Sequence, residues 1–196
     1  MSSAFKLPAL VLVLAGLGQP AFADESPRAP SETVAQDQDS TWSWWQHIKG
    51  TWAKGGYDLY VPFWTYHMPY AYTPALLRSY NDFPAGGGIG KGRYNSSGNW
   101  EGMVAMEFAD SHGRPQYQAV FLWIPTWRPL FDGFKIGAGL AGGIVARSDI
   151  NRYTPFPGGL PVASIGYRDF DVQATFVPGF KDDGNVLFCW AKFSFY

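Results

Sequence analysis

Three histidines occur in the 196-residue sequence, His47, His67 and His112, and one of them stands where acyl-transfer chemistry could be assembled. His67 closes the aromatic stretch 57-YDLYVPFWTYH-67, and the pair Asp110-Ser111 closes another, 100-WEGMVAMEFADS-111. An imidazole beside a serine hydroxyl is the minimal acyl-transfer pair, because the ring nitrogen takes the hydroxyl proton as the oxygen attacks a carbonyl. Neighbouring residues of an extended chain point to opposite sides. Asp110 and Ser111 therefore form a relay with His67 only if the backbone turns there. His47 falls in a Trp-rich segment away from any candidate nucleophile, and His112 reads as a solvated loop residue. No two His or Cys positions have metal-ligand spacing, so neither a metal nor a cofactor is expected.

His67 and Ser111 are 44 positions apart, so a fold must bring them together. Eight stretches read as strands: 57–67, 86–95, 99–109, 115–124, 133–147, 160–168, 170–178 and 186–196. Turn signals separate them, among them 95-NSSGN-99, 125-PTWRP-129, 167-YRDFD-171 and 182-DDGN-185. The last strand shows what surrounds the sheet. Leu187, Cys189, Ala191, Phe193 and Phe195 share one wholly apolar face, while Phe188, Trp190, Lys192, Ser194 and Tyr196 share a mixed one. A soluble lipocalin-like barrel would leave that apolar face bare to water. An eight-stranded antiparallel transmembrane β-barrel, all-β, turns it to lipid and the mixed face inward. The content of 9 Trp, 11 Tyr and 23 Gly fits such a barrel with its aromatic belts. In antiparallel alternation, strands one, three, five and seven all end on the rim opposite the chain start. His67, Asp110-Ser111 and Arg147 to Asp149 then converge by topology alone.

The segments before the barrel settle the expected compartment. Lys6, the apolar run 9-ALVLVLAGLG-18 and the small-residue site 21-AFA-23 predict a signal peptide over 1–23. Residues 24–40 are polar, carry Pro and Ser, and read as a disordered leader. Over 41–56, Trp45, Ile48 and Trp52 fall at helical spacing with Trp42 one turn earlier, which predicts an amphipathic helix lying at a membrane interface. The barrel occupies 57–196. A single cysteine, Cys189, excludes an intramolecular disulfide framework. With 15 basic and 16 acidic residues there is no basic patch for nucleic acid.

Prolines mark the strands unusually. Pro62 and Pro84 flank strand one and the entry to strand two, and Pro161 and Pro178 fall in strands six and seven. Proline lacks the ladder N–H. In a closed barrel the missing bonds open slots through which a lipid tail could pass sideways.

From Trp52 to Phe195 the chain resembles the lipid A palmitoyltransferase family of the Gram-negative outer membrane, known as PagP. The resemblance is carried by 57-YDLYVP-62 with His67, 86-GGGIG-90 with Arg93, 98-GNW-100, 108-FADS-111, 126-TWRPL-130, 144-IVAR-147, 161-PVASIGY-167, 177-VPG-179 and 184-GNV-186. It implies a palmitoyl chain, or one of similar length, moved from the sn-1 position of a phospholipid donor to lipid A, in the outer membrane, by a monomer or homodimer. It also implies functional roles for His67, Asp110 and Ser111, lateral gates at Pro62 with Pro84 and at Pro161 with Pro178, and a helix clamp of Trp52 and Arg93. The family's acyl-chain stop is a glycine at the position of Leu122, so a chain shorter than palmitate is expected here unless Gly137 or Gly139 re-creates the depth. Further departures are Ala85, where the family has Trp, a chain one residue longer at its end, and a longer leader. A non-catalytic small outer-membrane barrel that binds lipid is the alternative.

Overall fold

The protein is seen as a computed structural model that describes residues 43–195. The expected signal peptide, the leader, Trp42 and Tyr196 lie outside the described residues. Helix α1 spans Trp44–Lys54. Eight long strands follow: β1 Gly56–His67, β2 Gly86–Tyr94, β3 Trp100–Ala109, β4 Pro115–Ile124, β5 Phe134–Arg147, β6 Phe156–Tyr167, β7 Phe170–Val177 and β8 Val186–Phe195. A two-residue segment, Thr126–Trp127, continues the β4 side of the sheet and pairs with Ile136 and Gly137 of β5.

All pairings are antiparallel, each strand pairs with its chain neighbour, and β1 pairs with β8, which closes the barrel. The eight expected strands are present, with β6 longer than its apolar pattern suggests. It begins at Phe156 instead of residue 160 because the far half of β5 supplies ladder partners, Ile144 and Val145 opposite Pro157 and Phe156. Tyr57, Leu59, Ile89, Leu140, Ile144, Ile165 and Phe195 face outward and are exposed, as period-two alternation requires of a lipid-facing belt.

The interior has two zones. At the helix end lies a buried ionic layer. Lys192 Nζ is 2.9 Å from Asp171 and 4.0 Å from Asp58, and Lys135 Nζ is 3.1 Å from Asp171. Ser194 Oγ donates to Asp58 over 2.6 Å. Two cations face two carboxylates, so the charges cancel where isolated ones would be costly. Toward the opposite rim the interior is apolar, built from Tyr60, Val104, Met106, Phe108, Leu122, Val162, Phe188 and Trp190, while Trp100 and Ile124 of the same cluster lie level with the ionic layer.

One irregularity matters for everything that follows. The β1–β8 register slips between Pro62 and Trp64, so that Phe63 and Trp64 both point outward. Before this bulge the odd-numbered residues face out. After it Thr65 and His67 face in and are buried. Pro62 has no N–H to give the ladder, and an extra residue at such a gap is how a strand re-aims its side chains.

Candidate active site

His67, re-aimed inward by the bulge, lies at the rim opposite α1. Its Nε2 is 2.8 Å from Ser111 Oγ, and its Nδ1 is 3.2 Å from Asp82 Oδ1. Tyr80 stacks on the imidazole with centroids 4.5 Å apart, and Tyr72 meets it edge-on at 5.4 Å. Both tyrosines come from the long β1–β2 connection, which folds over the rim. That connection is tied down at several points: Thr65 N–H donates to Asp82 O (2.8 Å), Asn81 N–H donates to Ser111 O (3.0 Å), and the Tyr72 hydroxyl donates to Gly184 O. Burial, with Tyr80 and the Asp182-Asp183 pair nearby, pushes the Tyr72 hydroxyl up to about 12, and burial raises Tyr80 in the same direction.

Ser111 begins a tight turn, and Asp110 builds it. The Asp110 carboxylate accepts the backbone N–H groups of His112 (2.9 Å) and Arg114 (2.8 Å), while its own N–H donates to Arg114 O. This is the turn that adjacent Asp and Ser side chains needed. Its effect is to place Ser111 on His67 while the Asp110 carboxylate stays within its own loop. Arg147 and Asp149, expected on the same rim, form a two-point ion pair of 3.0 and 2.7 Å. Burial works against ionised Asp149, but the Arg147 guanidinium outweighs it and holds the carboxyl below its usual range.

The four prolines sit beside interrupted ladders. β1 pairs with β2 only from Gly56 to Tyr60, so its outer half beyond Pro62 has no β2 partner, and Pro84 precedes β2. β6 pairs with β7 only from Val162 onward, so the ladder stops next to Pro161, and Pro178 follows the last residue of β7. Thr175 Oγ donates to Pro161 O over 2.7 Å at that edge.

Leu122 points inward and is buried, paired with Gly102 on β3 and Ala141 on β5. The Trp100 ring lies over Gly102, and Lys192 Nζ sits 4.6 Å from the same ring. Leu122 therefore stands beside the boundary between apolar interior and ionic layer. Gly137 and Gly139 offer no extra depth there, because Ile124 and the backbone of Trp123 and Pro125 fill the space their side chains would occupy.

At the helix end, Arg93 and Trp52 have different partners. The Arg93 guanidinium lies against Gly50 and reaches Glu101 Oε2 at 3.1 Å. Trp52 is exposed, and Lys91 Nζ donates to its backbone oxygen over 2.6 Å. Glu101, fully buried under α1, also bonds His47, Thr51 Oγ1 (3.3 Å) and Asn95 Nδ2 (2.7 Å). Trp44 packs edge-on against Phe121 at 5.6 Å. The face of α1 that meets the barrel thus carries Trp44, His47, Gly50 and Thr51, while Trp45 and Trp52 face away.

The sequence model of a family described as "Antimicrobial peptide resistance and lipid A acylation protein PagP" matches residues 47–192. The chain belongs to the PagP family. It is 40% identical over 176 residues to a protein of Escherichia coli O6:K15:H31 named lipid A palmitoyltransferase PagP, covering 89% of this chain and 87% of that one. It is 39% identical over 152 residues to a protein of Methylobacillus flagellatus named lipid A acyltransferase PagP, covering 76% and 81%. A protein of Laribacter hongkongensis with the same name is 42% identical over 148 residues, covering 76% and 71%. Barrel and PagP family together fit a protein of the outer membrane.

Two carboxylates that meet histidines in these clusters were not among the residues singled out from the sequence. Glu101 reads as one more outward polar position on β3, and only α1 above it shows that it is buried. Asp82 lies in a connection without periodic pattern, and nothing in its local sequence points to His67.

Proposed function

We propose that this PagP-family chain is an outer-membrane acyltransferase that moves a palmitoyl chain, or one of similar length, from the sn-1 position of a phospholipid to lipid A. The observation that carries the reading is the 2.8 Å contact of His67 Nε2 with Ser111 Oγ, and the names of the relatives supply the acceptor. His67 takes the Ser111 proton as Oγ attacks the ester carbonyl. The carbon–oxygen bond to the lysophospholipid breaks, and that oxygen leaves with the proton from Nε2. A lipid A hydroxyl then gives its proton to His67 and attacks the Ser111 ester, and Ser111 recovers its proton as the new ester forms. Asp110 contributes through the turn that presents Ser111.

The interrupted ladders at Pro62 with Pro84 and at Pro161 with Pro178 serve as side entrances for lipid chains, which cannot cross an intact ladder. Inside, the donor chain lies along Phe108, Met106 and Val104 with its end against Leu122. Leucine in place of the family's glycine shortens this path, so the preferred chain is shorter than palmitate. α1, with Trp45 and Trp52 turned away from the barrel, lies at the periplasmic interface, held through Glu101 and Arg93.

The test is the mass spectrum of lipid A from cells with and without the protein. An acyl-sized increment that disappears in Ser111→Ala and His67→Ala, with both variants still migrating as heat-modifiable barrels, is the expected result. Unchanged lipid A, or near-normal activity of purified Ser111→Ala, would leave only a lipid-binding barrel.

A further inference from the structure

We propose that Asp82 is the positioning residue of the His67–Ser111 pair: it holds the proton of His67 on Nδ1 and so leaves Nε2 free to accept the proton of Ser111. The proposal rests on the acyl-transfer reading above and adds a residue to it. Among the described residues, Asp82 is the one carboxylate within hydrogen-bond reach of the imidazole. The Asp110 carboxylate, adjacent to Ser111 in the chain, is engaged by the N–H groups of its own turn.

The approach of Asp82 is built into the backbone. Its carbonyl accepts from Thr65, two residues before His67, and its neighbour Asn81 donates to the carbonyl of Ser111 itself. Asn81 Oδ1 in turn accepts the N–H of Phe83 over 3.0 Å. The segment 81–83 is thereby tied to both members of the pair, and any displacement of Asp82 strains the contacts of Ser111 and β1 together. Tyr80 and Tyr72 confine the ring from two further sides. The remaining freedom of the imidazole is which nitrogen faces which partner and which carries the proton, an assignment that follows from the hydrogen-bond partners. A carboxylate can only accept, so the nitrogen facing Asp82 must donate.

When Nε2 takes the Ser111 proton, the imidazolium forms with a carboxylate 3.2 Å from its other nitrogen. The carboxylate stabilises that cation without itself being protonated. Asp82 is 61% exposed, so water and salt weaken the effect compared with a buried triad carboxylate. A loss of about tenfold in rate, not the ~10⁴-fold of a buried triad, is therefore expected on removing its charge. Other titratable groups of the rim include Tyr72, Arg78 and Tyr80 on the same connection, Asp110, His112 and Arg114 on the β3–β4 turn, Arg147 at the end of β5 with Asp149 beyond it, and Lys181, Asp182 and Asp183 before β8. All but Asp110, which is itself varied below, are common to the variants compared and do not produce a difference between them.

The experiment compares the full barrel with Asp82→Asn, Asp82→Ala, Asp82→Glu and Asp110→Asn in detergent micelles, with phospholipid donor and lipid A acceptor. Asp82→Asn and Asp82→Ala should lower kcat about tenfold with KM unchanged, and move the acid limb of the kcat–pH profile to lower pH. Asp82→Glu should recover most of the rate. The ¹⁵N spectrum of His67 should show the Nδ1–H form in the wild type and a loss of that preference in Asp82→Ala, a readout that does not require turnover. If the Asp82 variants keep wild-type kcat and acid limb, or change KM alone, the proposal is overturned. The same holds if Asp110→Asn moves the acid limb and they do not. A wild type without acyl transfer refutes the acyl-transfer reading instead, and the ¹⁵N spectrum still decides whether Asp82 sets the tautomer.

Discussion

Leu122→Gly should lengthen the acyl chain that the barrel prefers. Gly102, the β3 partner of Leu122, precedes Ser111 by nine residues. At about 3.3 Å per residue that is about 30 Å along the strand. With a barrel tilt near 40° it corresponds to about 23 Å of depth, more than the ~15 Å of one hydrocarbon leaflet. An extended sixteen-carbon chain, straighter than the tails of a fluid leaflet, ends a few ångströms short of that level, and the Leu122 side chain, with the bulk of about four carbons, takes up the space beyond its end. Removing it makes room for two or three further methylenes. At about 0.8 kcal/mol each, they favour the longer donor by about 2 kcal/mol, or about 30-fold. The neighbouring β5 glycines cannot mask this, because the β4 strand already fills their space. The variant should also lose about 3–5 kcal/mol of stability, since a buried leucine leaves a cavity. The assay offers purified barrel a mixture of phosphatidylcholines of graded chain length and reads the acylated lipid A by mass spectrometry. Leu140→Gly on the outward face is the control and should not move the optimum. A wild type that takes palmitate best, with no change in Leu122→Gly, would show that Leu122 is not the floor.

Three further outcomes are expected. Deleting Phe63 removes the extra residue of the β1 bulge while Pro62 stays opposite Trp190 and Trp64 opposite Cys189, so alternation runs unbroken with Thr65 and His67 still inward; activity should stay within about tenfold of wild type in a heat-modifiable barrel, and a loss of ~100-fold or more would show that the bulge does more than set the direction of His67. Glu101→Ala leaves Arg93 and His47 without their buried carboxylate and should cost about 3 kcal/mol in denaturant unfolding, with turnover at moderate temperature unchanged because the site is at the other end; wild-type stability would show that Glu101 does not hold α1. The Tyr72 hydroxyl, at about 12 in the fold against about 10 in an unfolded chain, contributes fully below pH 10, and that contribution is lost as pH rises toward 12. Protease nicking of the β1–β2 connection should therefore increase over that window in the wild type and be less pH-dependent in Tyr72→Phe. Equal pH dependence in both would refute this.

The eight strands and their order were legible because each is a local property. Alternation in 186–196, the glycine and aspartate turns at 95–99 and 182–185, and the aromatic content all act within about ten residues. Antiparallel order then carried His67 and Ser111 to one rim without any knowledge of contacts. Strand continuation was less local: β6 starts at Phe156 because β5 reaches that far, although Pro157, Gly158 and Gly159 read as a loop. Burial of Glu101 required α1 to lie across the outside of β2 and β3, a contact between residues about fifty positions apart. The direction of His67 is the sharpest case. Alternation from Tyr57 puts it on the outward face with Leu59 and Val61, and the β1–β8 register, slipping after Pro62, turns it inward. A bulge is a mismatch between two strands, so it is written in neither strand alone. The carboxylate that meets His67 likewise comes from a connection whose path is set by its bonds to Thr65 and Ser111, and only the closed barrel places those two groups within its reach.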